Sequence, residues 1–231
     1  MKVEGVLLAL IDVPPEHTAE YNRWYDFDHL PEHASKPDVI VGRRYVAPAD
    51  LRGLGHAMGD LTGGHPPYLT TYLLGAPDFA DDAVATTWRA KDKTLAASGR
   101  FFRAGSVPFA RRMRLARARA CITVGDDAIP YLPHRGVVVA IGRAGARRDD
   151  AVRWWEDTRL PMLLDVDGVV AWLRFDPVAT DDDLLVHLIL LEDDPAAVMR
   201  RLDGRATNAP YESIAFLPYR RIVPLEYDFA W

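Results

Sequence analysis

The chain of 231 residues is 49% hydrophobic and 26% charged, the make-up of a globular protein rather than a disordered or fibrous one. A net charge of −5 excludes a global basic field for nucleic acid. The single cysteine, Cys121, excludes an internal disulfide and points to a reducing, cytoplasmic setting.

The apolar run at residues 6–11 predicts a buried strand that ends at Asp12 and Pro14–Pro15. It is too short for a signal peptide, and no run has the length of a transmembrane helix, so no membrane partner is expected. From Glu16 to about Leu30 the pattern is helical, with Tyr21, Trp24, Tyr25 and Asp28 on one stripe facing the sheet and Pro31 near the end. Residues 39–45 read as a second strand. Residues 48–67 carry Gly53, Gly55, Gly59, Gly63 and Gly64 and read as a loop, either a solvated insertion or a lid. Residues 68–74 form a third strand, 79–97 a second helix and 109–115 a fourth strand. The basic run Arg111, Arg112, Arg114, Arg117 and Arg119 fits the exposed side of an edge strand better than a phosphate site.

The pattern then recurs. A shift of 130 residues places Trp24–Tyr25 on Trp154–Trp155, Leu30–Pro31 on Leu160–Pro161 and Arg44–Tyr45 on Arg174–Phe175. Strands are expected at 137–141, 169–175, 184–191 and 219–225, with helices at 149–160 and 195–202. Phe229 and Trp231 form an apolar tail. The chain thus divides into a module at 1–118, a linker at 119–134 and a second module at 135–231. Each reads βαββαβ, the ferredoxin-like order. The expected class is α+β, with two such modules burying their bare sheet faces together around a central cavity.

The stretch Trp24–Tyr25–x–x–Asp28–His29–Leu30–Pro31–Glu32, followed by Arg43–Arg44–Tyr45, resembles the dimeric α/β-barrel superfamily, EthD-like members in particular. The resemblance is specific in the first half and scaffold-deep in the second, where Thr158–Arg159 and Phe175 replace Asp28–His29 and Tyr45. It implies a pseudo-dimeric barrel in one chain. Activities in the superfamily include cofactor-free oxygenation, isomerisation, cyclisation, dehydration and haem chemistry. It also implies His29 as acid or base with Tyr45 assisting, and a dead counterpart in the second half.

Strand alternation assigns further candidates. Arg44, Trp172 and His187, with Thr71 opposite His187, fall on the row assigned to the cavity. Leu184, Val186, Leu188 and Leu190 fall on the row assigned to the helices. By this register Tyr45 lies on the helix side, whereas the resemblance places it at the site. Asp28 is more readily a structural acceptor than a substrate contact, and His187 a core histidine. His29 fits a backbone contact at the helix end as well as it fits catalysis. His65 lies in the glycine-rich loop together with His56. His33 lies four residues after His29, but Pro31 intervenes and no third ligand stands at a telling distance, so no metal site is expected. The reading is a small-molecule-binding barrel of cofactor-independent acid–base chemistry on an apolar, aromatic or polyketide-like substrate. A non-catalytic ligand-binding or stress-response protein and a haem enzyme are the alternatives. Further homo-oligomerisation is compatible with the sequence.

Overall fold

In the computed structural model, residues 2–58, 61–77, 82–179, 182–202 and 209–227 are described. Gly59, Phe79, Phe229 and Trp231 lie outside them. The first half runs β1 (Gly5–Asp12), α1 (Thr18–Trp24), a π-helical turn (Tyr25–His29), α2 (Leu30–Ala34) and β2 (Val39–Val46). Next come α3 (Ala49–Arg52), β3 (His56–Ala57), β4 (Tyr68–Leu74), α4 (Asp82–Ala97) and β5 (Ser106–Ala120). The second half runs β6 (Gly136–Arg143), α5 (Arg148–Trp154), a second π-helical turn (Trp155–Arg159) and α6 (Leu160–Leu164). It ends with β7 (Val169–Pro177), β8 (Leu184–Leu191), α7 (Pro195–Leu202) and β9 (Glu212–Arg221). No described helix is long and apolar enough to cross a membrane.

All strand pairings are antiparallel, in the order β2-β4-β1-β5-β7-β8-β6-β9. β9 also pairs with β2, closing an eight-strand barrel, and β3 adds to the same edge of β9. The two seams between halves are unequal. β5 and β7 pair from Met113↔Pro177 to Ala120↔Ala171, with one shift of register between Leu115 and Arg117. β2 and β9 pair briefly, at Tyr45↔Arg221 and Val46↔Arg220, with the Ile222 N–H on the Arg44 carbonyl beyond them. The arginine-rich strand is therefore a seam rather than an edge. It pairs with β1 through its first part and with β7 through its second, and its outer side chains reach water.

Strand alternation separates the two rows of β8 but reverses which side they face, and it misplaces Arg44, Tyr45 and Trp172 in the same way; on β4 it is right, with Thr71 inward. Leu184, Val186, Leu188 and Leu190 join Val6, Leu8, Leu10, Val139, Leu173 and Phe175 in one continuous cluster inside the barrel. Trp172 packs outward, under α5–α6, with Val138, Trp155, Leu163 and Ile189. The expected central cavity is thus occupied by aliphatic and aromatic side chains, as the narrow interior of an eight-strand barrel favours.

The first helix also departs from expectation. It does not stop near Pro31 but continues to Ala34. The wide turn explains how: the Leu30 N–H reaches back five residues to the Tyr25 carbonyl, and the ring of Pro31 enters where the register returns to ordinary α. The second half repeats this at Leu160–Pro161, with the Leu160 N–H on the Trp155 carbonyl. The last strand begins at Glu212 rather than at Tyr219.

Candidate functional site

The wide turn resets the buried stripe of the first helix to every fourth residue: Tyr21, Tyr25, His29 and His33. Asp28 rotates away from the sheet and forms a two-pronged pair with Arg100 at 2.9 and 3.0 Å. The His29 ring sits 4.6 Å from Trp24, 4.7 Å from Tyr25 and 4.0 Å from His33, centroid to centroid. It makes no hydrogen bond among the described residues, so it is caged by rings rather than tied to the helix end. Burial above all, then neighbouring positive charge, lowers both His29 and His33 to about 3. Both ring nitrogens of His33 are buried without a partner. The two histidines share a face despite Pro31, yet no group of three metal-ligating side chains occurs among the described residues.

Arg44 points into the same helix–sheet layer, not into the barrel. It pairs with Asp26, donates to Asn22 Oδ1 at 2.6 Å and lies 4.4 Å above the Tyr25 ring. Arg174 repeats the arrangement on Glu156 at 2.7 Å. Tyr45 takes the opposite face. It is buried inside the barrel, where its hydroxyl donates to His134 Nε2 at 2.9 Å because His134 Nδ1 is committed to the Leu132 carbonyl. Buried Thr71, opposite Leu8, shares that inner face. The sheet therefore separates His29 from Tyr45.

Trp172 and His187 are likewise in the helix–sheet layer. Trp172 Nε1 donates to His187 Nδ1 at 3.2 Å, and the His187 ring stacks on Trp155 at 3.8 Å. Burial, followed by Arg174, holds His187 well below the usual imidazole range. His65 packs edge-on against Tyr219, with burial lowering it to about 4.

The open space lies elsewhere. A cleft of about 460 Å³ opens between the helices and sheet of the second half. Its aromatic walls are Trp154, Trp155, Tyr211 and Phe216, with Arg159 and Arg200 as cations. Gly53, Leu54 and His56 of the 48–67 segment close one side, so the first half's insertion walls the second half's cleft. β3 holds it there by pairing His56 with Phe216. His56 Nε2 is 2.9 Å from Ser213 Oγ, and burial moves its imidazole below the usual value. Burial pushes the Tyr211 hydroxyl up to about 12, so it stays protonated as a donor.

Arg159 occupies the position equivalent to His29. Of these residues, sequence reading weighed Arg159 only as a lost histidine and left Trp154, Trp155 and Tyr211 aside. The signal present was the pairing of an arginine at that position with an insertion found in only one half.

No family model matches the chain, and no curated protein does. Solved structures do. An anthrone oxidase-like protein aligns at 12% identity over 96% of this chain and 92% of its own, with a TM-score of 0.53. A provisionally assigned chlorite dismutase aligns at 12% identity over 97% and 96%, TM-score 0.56. A provisionally assigned monooxygenase from Fusobacterium nucleatum subsp. nucleatum aligns at 9% over 98% and 99%, TM-score 0.50. The likeness is one of fold, an antiparallel α+β barrel. At such identities the likeness extends to the barrel and not to its chemistry.

Proposed function

We propose that this barrel is a fusion of two ferredoxin-like modules, EthD-like in the first, that binds a small, planar, mostly apolar molecule in the second-half cleft. The observation that carries this is the composite cleft itself: flat aromatic walls, a cation at the helix turn and a side supplied by the other half. Aromatic faces bury a planar ligand, and a few placed polar groups orient it. Arg159 would hold a carboxylate or carbonyl oxygen, with Tyr211 as a neutral donor. Equilibrium binding of 2-naphthoate, read by tryptophan fluorescence, tests this. Arg159→Gln is expected to weaken binding at least tenfold, about the value of a charge-assisted hydrogen bond, with stability changed by only about 0.5 kcal/mol. Unchanged affinity in the folded variant would move the ligand away from the cleft.

The reaction class we favour is cofactor-independent acid–base chemistry: isomerisation, cyclisation, dehydration or oxygenation. His56 is the imidazole lining the cleft, neutral at pH 7 and able to take a proton there. Its replacement by alanine should lower turnover by about 10²–10⁴-fold while 2-naphthoate still binds; equal turnover would remove it from the mechanism. His29→Ala is the parallel test of the first-half motif. Binding without turnover would favour the non-catalytic reading.

Haem gains no support from the cleft residues: His56 Nε2 is engaged by Ser213, and His187 stacks on Trp155, itself a wall of the cleft. A Soret band in the purified protein would overturn that.

A further inference from the structure

A second pocket, of about 440 Å³, lies at the short β2–β9 seam, and nothing in the proposed function uses it. Arg135, Arg220 and Arg221 line it with His134, beside an apolar strip of Ile222 and Val223. The three arginines are not equivalent. Arg220 is already neutralised, 2.7 Å from Asp194 and 3.0 Å from Asp50. Among the described residues, no carboxylate lies within ion-pair distance of Arg135 or Arg221.

The wall behind them is built and buried. Tyr45 donates to His134, which donates in turn to the Leu132 carbonyl. Arg43 approaches from the barrel side, its Nη1 on the Pro130 carbonyl at 2.8 Å and its Nε buried without a partner. His134 is thus fixed as a neutral imidazole with positive charge on two sides, Arg43 and Arg221. Asp193, paired with Arg201, lies within the field of Arg135 but does not contact it, so the pocket presents two guanidinium groups without an ion-pair partner above a neutral floor, an arrangement that suits an anion.

We propose that this seam pocket is a binding site for a small oxyanion, a phosphate or a carboxylate, held by Arg135 and Arg221. The ligand would bridge β9 to the segment entering β6. The rim Asp194 is occupied by Arg220 and need not repel it.

The test is an NMR titration of the histidine ring resonances of the full chain. Sodium phosphate and sodium acetate are added separately, with sodium chloride holding ionic strength constant. The expected result is a saturable shift of the His134 ring, since the anion cancels the field of Arg221. Affinity should fall at least tenfold in both Arg135→Gln and Arg221→Gln, exposed substitutions that spare the core. Saturation by phosphate alone assigns a phosphate ligand, and by acetate alone a carboxylate. No saturable shift with either anion, or one that persists in the folded double variant, overturns the proposal.

Discussion

Replacing Arg44 by methionine is expected to destabilise the protein by about 3–5 kcal/mol, the cost of breaking a buried ion pair from one side. The Arg44 and Asp26 side chains are only 3% and 5% exposed. Removing the guanidinium would leave the Asp26 carboxylate with only the Tyr227 hydroxyl and the Leu225 N–H as donors, strand the Asn22 amide oxygen in the helix–sheet layer and take the cation from above the Tyr25 ring. Urea denaturation reads the change directly. Arg174→Met supplies the internal comparison, because that pair lies at 12% and 21% exposure, where water can take over part of the lost interaction. Its cost should be visibly smaller. Equal losses at the two positions would mean that burial does not set the strength of these pairs.

The second large effect is acid sensitivity. His33, His134 and His187 are buried, His29 and His65 partly so, and all five are held below the ordinary imidazole value, chiefly by burial. In the unfolded chain they take up protons near pH 6.5; in the folded one they resist to about 3 for His29 and His33 and about 4 for His65 and His134. Between those limits the unfolded state binds more protons, so stability is complete above about pH 6.5 and falls as the pH drops. Each well-buried histidine should contribute about 2 kcal/mol to the loss between pH 6.5 and pH 5. Unfolding free energies measured across that range should show uptake of several protons. His33→Phe should reduce the uptake by about one. A flat profile would mean that these rings are hydrated in the folded state.

Much of the scaffold was legible because strand lengths and apolar runs are local. Strands at 68–74 and 184–191 and the helix at 195–202 lie at the residues expected. Facing was legible on β4, where Thr71 lies inward as expected, but not on β8. In an open sheet, polarity tells the wet side from the dry one, but here both sides of β8 are dry, one against helices and one against the opposing sheet, and all eight residues are buried. Leu184, Val186, Leu188 and Leu190 alternate with Leu185, His187 and Ile189, and nothing in that alternation says which row points inward. His187 and Trp172 were therefore assigned inward together, and both lie outward. The helix stripe failed for a different reason. A repeat of 3.6 residues was applied through a turn that is locally wider, and this put Asp28 where His29 belongs. The cleft was hidden because its wall comes from residues 53–56 and its aromatics from the other half, a pairing that depends on how the barrel closes.

That closure works as a ring with one latch. The β5–β7 joint is long, whereas the β2–β9 joint is short, pairing Tyr45 and Val46 with Arg220 and Arg221 and adding the Ile222 N–H on the Arg44 carbonyl. Opening a ring costs least where fewest bonds hold it. Amide hydrogens around Val46 should therefore exchange with solvent well before those between Leu115 and Ala120. Breathing of the latch would move the 48–67 segment against β9, so the arginine pocket and the wall of the aromatic cleft share one loose joint. An event that fastens the joint at either place would be felt at the other.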